Sequence, residues 1–217
     1  ALPGARIQRL THGFRFNSRL GALCSRFILR NPVQLEHDCT YPPGTGPALH
    51  ILSRYEDGAE PLQRALAALP ALPDGGRPTV FLLGRYRKLS PDMAGLAAAH
   101  PGLKLAFHTI HSARGLEADH VIVLGAVAGR EGFPAEQADD PLLDLILAEG
   151  EGVTNAEERR LLYVALTRAK DQVYLISDAG NPSRFVEELR QYGALVSVDE
   201  EPVEQESSGS GFLRLAP

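Results

Sequence analysis

The stretch TNAEERRLLYVALTRAKDQVYLI, residues 154–176, decides the fold, because it predicts a helix that runs directly into a strand. Thr154 lies three residues before Glu157, which is the spacing of a capping box at the start of a helix. Apolar residues then recur at helical spacing, at Leu161, Leu162, Ala165, Leu166 and Ala169. The apolar strand at 173–176 follows almost at once.

Arg168 is the unusual residue of this stretch, because helical spacing places it at the edge of the apolar stripe. Partial burial of a guanidinium group at this position costs free energy unless an anion binds to it. The alternative is an arginine that reaches outward to water or pairs with a carboxylate. For an arbitrary helix this alternative is the commoner case, since charged residues seldom stay buried without a partner.

Composition describes an ordinary soluble globular chain. Its 217 residues are 44% hydrophobic and 23% charged, which fits one sizeable α/β domain. The formal net charge of −5 argues against a domain that binds nucleic acid through bulk positive charge, so any such contact must be local. The opening residues read like sequence from the middle of a chain, and we therefore expect an excised domain.

Cysteine usage and hydropathy predict a cytoplasmic protein. Cys24 and Cys39 are the only cysteines, and they form neither a disulfide framework nor a metal-spaced cluster, which suits a reducing cytosol. We predict no metal site. No apolar run reaches membrane-spanning length and no signal peptide opens the chain, so no membrane partner is expected.

The rest of the chain alternates short apolar strands with helices. Strands are predicted at 49–52, 80–83, 105–110 and 120–124, and helices after the Asn17 or Ser18 cap and at 58–69, 91–99 and 184–190. This pattern predicts an α/β fold with a parallel sheet covered by helices on both faces. The domain is expected to span residues 1–197, with an acidic insertion or surface loop at 129–152 and an acidic Ser/Gly-rich tail at 198–217.

Ligands in such folds gather at the carboxyl ends of the strands, and we expect three polar segments to lie there. They are GRYRK at 84–88, HSARGLEAD at 111–119 and the end of the helix that carries Arg168. Arg15, just ahead of a helix cap, is a further candidate to attract an anion. The alternatives are a solvated loop at Arg15 and a tight crossover at 111–119 whose polar groups satisfy only the backbone.

Three segments together match one known pattern. Residues 9–19 (RLTHGFRFNSR), 109–119 (TIHSARGLEAD) and 157–170 (EERRLLYVALTRAK) resemble the fourth, fifth and sixth motifs of the UvrD/Rep-like superfamily 1 helicases, in the same order along the chain. Within that superfamily, FRFNSR, LGRYR, GFPAE and NPSRFVEEL are most similar to the bacterial DNA helicase IV branch. The resemblance implies the second RecA-like lobe of a P-loop NTPase-like motor.

The resemblance assigns five residues to the nucleotide. It implies that Arg15 and Arg168 reach the γ-phosphate of ATP, with Arg168 as the arginine finger. Phe14 stands where the family usually has a tyrosine that stacks on adenine, and Gly13 replaces the usual asparagine. Gly115 allows close backbone approach to a ligand, and Glu117 is implied to bind the ribose or neighbouring groups.

The resemblance also implies contacts with DNA. Four residues are expected at the backbone of single-stranded DNA, or of duplex DNA with a 3′ tail: Thr109, His111, Ser112 and Arg114, the last in place of the family's usual lysine. Arg85 and Tyr86, at the end of the second strand, are expected near the DNA track. DNA repair is the process that the resemblance suggests.

The ATP site is incomplete within these residues. No G-x-x-x-x-G-K-[ST] segment occurs, so the phosphate cradle and the Mg²⁺ ligands are expected on an N-terminal RecA-like lobe of the same polypeptide, and ATP with Mg²⁺ should bind mainly there. We therefore predict that this fragment alone does not hydrolyse ATP.

Three interpretations remain open from the sequence. The first is the motor lobe of an ATP-dependent DNA helicase. The second is a degenerate helicase-like lobe that serves as a non-catalytic interaction module. The third is an unrelated nucleotide-binding α/β enzyme, which is disfavoured because no G-x-G-x-x-G follows a strand.

Overall fold

The chain folds around one parallel β-sheet. The structure is a computed structural model that describes residues 11–31, 34–35, 39–54, 60–135 and 156–199. Within those residues the strands are β1 Leu49–Arg54, β2 Thr79–Gly84, β3 Lys104–Thr109, β4 Ala118–Leu124, β5 Ala169–Asp178 and β6 Val196–Asp199. All neighbouring pairs run parallel, in the order β3-β2-β4-β5-β1-β6. The predicted α/β class and parallel sheet are confirmed.

Helices cover both faces of the sheet, as predicted. They are α1 Ser18–Ile28, α2 Pro61–Ala68, α3 Met93–Ala99, α4 Ala156–Leu166 and α5 Arg184–Arg190. Helices α1, α4 and α5 contribute to one buried apolar cluster, and α2 and α3 contribute to the other. Short 3₁₀ turns lie at Arg87–Leu89 and Gly193–Leu195. None of the described helices is long and apolar enough to cross a membrane.

Helix α1 begins where the sequence predicted. Asn17 is the N-cap, and its side-chain oxygen accepts from the backbone nitrogen of Leu20 at 3.0 Å. The predicted apolar positions are all buried, namely Leu20, Leu23, Cys24, Phe27 and Ile28. The Asn17 amide also donates to the carboxylate of Asp171 at 3.0 Å, so the start of α1 is joined to β5.

Several predicted boundaries were wrong. Pro91 lies before its helix rather than in the first turn, because Asp92 is the N-cap of α3. The Asp92 side chain accepts hydrogen bonds from the backbone nitrogens of Ala94 and Gly95. Strand β5 begins at Ala169 rather than at Val173, directly after the Arg168 junction. The predicted cap at Thr154 lies outside the described residues.

Two predicted surface segments contain core structure. Residues 132–135 are buried, and Phe133 packs against Phe185 of α5 at a ring-centroid distance of 6.2 Å, so the surface-loop prediction for 129–152 does not hold there. Residues 136–152 lie outside the described part. The tail predicted from residue 198 starts too early, because Val198 and Asp199 belong to β6, which pairs with β1.

A buried ion pair ties α4 to α5. The Arg159 side chain is 10% exposed, and it donates to both carboxylate oxygens of Glu188 at 2.9 and 2.7 Å. It also donates to the carbonyl oxygen of Phe27 at 3.1 Å. A bidentate pair with a third bond to the backbone fixes three helices relative to one another, and sequence periodicity gave no sign of it.

Candidate functional site

Arg168 lies at the junction of α4 and β5 and is only 7% exposed. Its guanidinium group donates to the carbonyl oxygens of Val164 at 3.0 Å and Leu116 at 3.1 Å, and to the hydroxyl of Thr167 at 3.2 Å. No described carboxylate lies within ion-pair distance of it. These three hydrogen bonds use only part of the five N–H donors of the guanidinium group. Arg168, although nearly buried, therefore retains N–H donors for an anion.

Glu117 brings Arg15 close to Arg168, because its carboxylate lies 3.8 Å from Nε of Arg15 and it directly follows Leu116, whose carbonyl oxygen accepts a hydrogen bond from Arg168. Burial lowers the pKa of Arg168, and repulsion from Arg15 lowers it further, whereas Glu117 and Tyr163 act in the opposite direction. Two cations from distant parts of the chain therefore share one small region. We call Arg15, Glu117, Arg168 and Lys170 the arginine cluster.

Glu117 is the counter-charge of the arginine cluster. One carboxylate oxygen lies 3.8 Å from Nε of Arg15, and the other lies 3.4 Å from Nζ of Lys170. All three side chains are about half exposed, so these pairs are weak and can exchange partners. Sequence reasoning missed Lys170, although it stands only two residues after Arg168 in the same motif.

The arginine cluster lies at the amino ends of the strands, not at the carboxyl ends as predicted. Glu117 immediately precedes β4 and Arg168 immediately precedes β5. The backbone nitrogen of Ala118 donates to the carbonyl oxygen of Arg168 at 3.0 Å, which brings the two strand starts together. The segment 111–119 therefore begins at the carboxyl edge and ends at the amino edge, as a parallel crossover must.

Phe14 projects from the loop before α1 and is 84% exposed. Its ring stacks on His12 at a centroid distance of 6.4 Å and an interplanar angle of 17°. An aromatic side chain this exposed gains little from burial in the protein itself. Its face is available to a flat ligand next to Arg15.

Tyr41 explains the glycine at position 13. A Cβ atom on Gly13 would collide with the Tyr41 ring, and a Cβ atom on Gly21 would lie 2.5 Å from the same ring. Tyr41 also stacks on Phe16 at 4.8 Å. The usual asparagine of the family pattern would collide with the tyrosine ring in its present position.

Residues 40–44 hold the loop before α1 in place through backbone hydrogen bonds. Gly13 donates to the carbonyl oxygen of Thr40 at 2.9 Å, and Ser18 donates to that of Pro42 at 2.7 Å. Thr40 in turn donates to the carbonyl oxygen of Thr11 at 2.8 Å. The loop that carries Phe14 and Arg15 is therefore bonded on both sides of those two residues.

The predicted polar residues of segment 109–115 fall into two groups. Thr109 and Ser112 bond to each other, with 3.0 Å between their hydroxyl oxygens. His111 and Arg114 are exposed. Gly115 has φ of +84° with open space around its Cβ position, so the left-handed backbone of this turn favours glycine. The predicted close approach of a ligand to Gly115 stays a prediction.

Arg85 is engaged inside the protein. It forms a bidentate ion pair with Glu158 of α4 at 2.9 and 3.2 Å, and the two side chains are 19% and 14% exposed. The structure thus gives Arg85 a partner that the sequence reasoning did not foresee. Its guanidinium group also lies 5.1 Å from the centre of the Tyr86 ring, which is partly exposed.

An open pocket of about 400 Å³ lies at the carboxyl ends of β2 and β3. We call it the strand-end pocket, and it is lined by Arg87, Ser90, Phe107, His108, Thr109 and Ser112. Thr109 and Ser112 were predicted site residues. Arg87 belongs to the GRYRK segment that the sequence analysis selected, although it was not named there as a site residue, and Ser90, two residues after that segment, was missed.

Comparison with known proteins gives the family. A model of the UvrD-like helicase C-terminal domain matches residues 93–179. Residues 93–179 belong to this family. The matched segment contains the Thr109–Glu117 segment and the Arg168 junction, and so includes most of the residues described above.

Curated helicases are the relatives of this UvrD-like domain. It is 36% identical over 181 residues to DNA helicase IV of Escherichia coli, covering 82% of this chain and 25% of that protein. It is 42% identical over 91 residues to the putative ATP-dependent DNA helicase YjcD of Bacillus subtilis, covering 38% of this chain and 11% of that protein. The chain therefore spans about a quarter or less of these relatives.

A solved structure also matches. The C-terminal domain of a possible DNA helicase from Lactobacillus plantarum aligns with a TM-score of 0.47 and 19% identity, covering 87% of this chain and 99% of that one.

Proposed function

We propose that this chain is the C-terminal motor lobe of an ATP-dependent DNA helicase or translocase. The observation that carries the proposal is the arginine cluster, in which the nearly buried Arg168 has no carboxylate partner among the described residues and is linked to Arg15 through Leu116 and Glu117. An arrangement of two cations that repel each other becomes more favourable when an anion joins them. The triphosphate of ATP, held by an N-terminal lobe on the same polypeptide, supplies that anion.

Each residue of the arginine cluster then has a role. Arg168 and Arg15 donate to the γ-phosphate and stabilise the charge that develops there as its bond loosens, an effect worth about 10³–10⁵ in rate for an arginine finger. Glu117 gives up its ion pair with Arg15 and accepts a hydrogen bond from a ribose hydroxyl or a neighbouring group. Phe14 stacks on adenine, which its exposure and its place beside Arg15 support.

The DNA contacts lie at the other end of the sheet. Thr109 and Ser112, with the exposed His111 and Arg114, face single-stranded DNA and donate to its phosphates. The predicted contact of Tyr86 is kept, since its ring is partly exposed, whereas Arg85 acts mainly through Glu158. The crossover at 110–117 begins at this edge, directly after Thr109, and ends with Glu117 of the arginine cluster. Closure of the lobes on ATP can therefore shift the DNA contacts through this crossover.

The test is ATP hydrolysis and strand separation by the complete gene product. We expect a Walker A segment upstream on the same polypeptide, hydrolysis that single-stranded DNA stimulates, and unwinding of a duplex with a 3′ tail. The 217-residue chain alone should show no hydrolysis. A complete product that binds DNA but never turns over ATP would instead support the non-catalytic interaction module.

A further inference from the structure

We infer that Lys170 is a positioning residue for the nucleotide: it holds the Glu117 carboxylate in place for a ribose hydroxyl when Arg15 turns to the γ-phosphate. The inference rests on the proposed function, which gives roles to Arg15, Glu117 and Arg168 but none to Lys170. Glu117 faces two cations at once. One of its carboxylate oxygens lies 3.8 Å from Nε of Arg15, and the other lies 3.4 Å from Nζ of Lys170.

A register shift between β4 and β5 gives Lys170 its position. As at a β-bulge, two residues of β5, Lys170 and Asp171, lie opposite the single residue Asp119 of β4. Bulges re-aim side chains and are common next to active sites. The ammonium group of Lys170 lies 3.4 Å from Glu117, which precedes β4, and 3.7 Å from Asp119 within that strand.

Asp119 anchors the lysine side chain to the sheet. One oxygen of Asp119 lies 3.7 Å from Nζ of Lys170, and the other accepts a hydrogen bond from the backbone nitrogen of Thr79 at 2.8 Å. The Asp119 side chain is 21% exposed, against 50% for Glu117. Lys170 therefore has one partner that is fixed to β2 and one partner that faces the proposed nucleotide.

Arg15 is the more weakly held of the two cations beside Glu117. Its Nε lies 3.8 Å from the carboxylate, beyond hydrogen-bond distance, and its side chain is about half exposed. A γ-phosphate carries more negative charge than a carboxylate, so bound ATP draws Arg15 away. Lys170, which Asp119 holds at the sheet, then stays beside Glu117.

Lys170 leaves Glu117 able to accept a hydrogen bond. An ionised carboxylate offers about four lone-pair sites, and Lys170 lies next to only one of its two oxygens. The oxygen that Arg15 has left can accept from a ribose hydroxyl. Without Lys170, Glu117 depends on Arg15 for its counter-charge and competes with the γ-phosphate for that guanidinium group.

The preference for ATP over its deoxy analogues tests this role. Steady-state hydrolysis by the complete gene product, with saturating single-stranded DNA, gives kcat/KM for ATP, 2′-deoxy-ATP and 3′-deoxy-ATP. The wild-type protein should prefer ATP to at least one analogue by about tenfold, because a hydrogen bond to a charged acceptor is lost. K170A should reduce this preference by about threefold, the effect of losing one half-exposed ion pair. K170R keeps the charge and should retain most of the preference.

The variant E117A separates positioning from a direct contact of Lys170 with the phosphates. K170A should lower kcat/KM for ATP in the wild-type background by about threefold. In the E117A background it should have little effect, because the carboxylate that Lys170 positions is gone. Equal losses in both backgrounds would overturn the positioning role.

K104A is the matched control, because it removes the same charge at the same edge of the sheet. Lys104 is exposed and is the first residue of β3. K104A should leave the preference and kcat/KM within about twofold of the wild-type values. The Lys170 side chain is about half exposed, so K170A should match the wild-type protein in thermal unfolding.

The outcomes separate this inference from the proposed function. If E117A loses the preference for ATP and K170A keeps it, Lys170 has no positioning role, although the motor proposal stands. If the wild-type protein hydrolyses no ATP, the motor proposal fails and the role of Lys170 fails with it. A preference that K170A reduces and K170R retains, with no effect of K170A in the E117A background, supports the inference.

Discussion

The guanidinium group of Arg168 donates a 3.1 Å hydrogen bond to the carbonyl oxygen of Leu116, a residue 52 positions earlier in the chain. Leu116 precedes Glu117, and the crossover that contains both begins beside Thr109 at the opposite edge of the sheet. A change in the position of Arg168 must therefore move this crossover or break the bond. Under the proposed function, this hydrogen bond joins the crossover that leads to the proposed DNA contacts to the proposed nucleotide-contacting Arg168.

Phe14 should affect nucleotide affinity but not folding. Removing the ring in F14A should raise the KM for ATP of the complete gene product about tenfold, since stacking of a base on an aromatic side chain contributes about 1–3 kcal/mol. F14Y keeps the stacking face and should change KM by less than about threefold. Because the side chain is 84% exposed, both variants should match the wild-type protein in thermal unfolding. An unchanged KM in F14A would remove Phe14 from the nucleotide site.

Gly13 should tolerate no side chain while Tyr41 is present. G13A forces a Cβ into the Tyr41 ring, and overpacking of this kind typically costs about 1–3 kcal/mol of unfolding free energy. The control is G102A, whose Cβ meets open space. Denaturant unfolding of the 217-residue chain measures both.

The double variant G13A/Y41A sharpens this test. Removing the ring removes the collision, so the cost of G13A should be smaller in the Y41A background than in the wild-type background. Additive costs would show that Gly13 is required for another reason. In that case Tyr41 would not explain the departure from the family's asparagine.

Burial of His120 predicts acid sensitivity. The side chain is 1% exposed, and burial lowers its pKa below 6.5, while Asp171, Asp119 and the Pro70 backbone oppose this shift. The unfolded chain therefore binds more protons than the folded chain below pH 6.5, and stability should fall as the pH decreases from there, by at most about 1.4 kcal/mol per pH unit for one proton.

The variant H120L should flatten this dependence. Leucine carries no titrating group, so the decrease in unfolding free energy between pH 7 and 5.5 should be smaller than in the wild-type chain. Chemical denaturation at a series of pH values measures the difference. Equal slopes for both proteins would mean that His120 does not contribute to acid sensitivity.

The sequence could predict the sheet because its evidence is local. The strand 80–83 and the cap at Asn17 are readable from apolar runs and capping chemistry, and both are present in the structure. Strand β6 escaped prediction, because Val196–Asp199 is only four residues long and runs into an acidic tail. Its place in the sheet depends on pairing with β1, which no local pattern reveals.

The site was predictable in its residues but not in its geometry. Arg168 stands out because a cation at the edge of an apolar stripe is unusual. Its position at the amino end of β5 depends on where the strand begins, and the sequence suggested a start four residues too late. The partner of Arg85 could not be foreseen because Glu158 lies 73 positions away, and ion pairs at such separations leave no pattern in the sequence.

The central claim is that Arg168 contacts the γ-phosphate, and R168K provides a first control. Because Arg168 is nearly buried and bonds to the backbone, any variant must first be shown to melt like the wild-type protein. R168K retains the charge but loses the fork, so we expect it to recover only part of the activity. R160A, at a partly exposed position on the same helix paired with Glu157, should behave like the wild-type protein.

Steady-state ATP hydrolysis by R168A, in the complete gene product with saturating single-stranded DNA, tests this claim most directly. We predict turnover reduced by about 10³-fold or more, with affinity for single-stranded DNA within about threefold of the wild-type value. Turnover within tenfold of wild type, in a variant that folds and binds DNA, would contradict the assignment of Arg168 and with it the motor-lobe account.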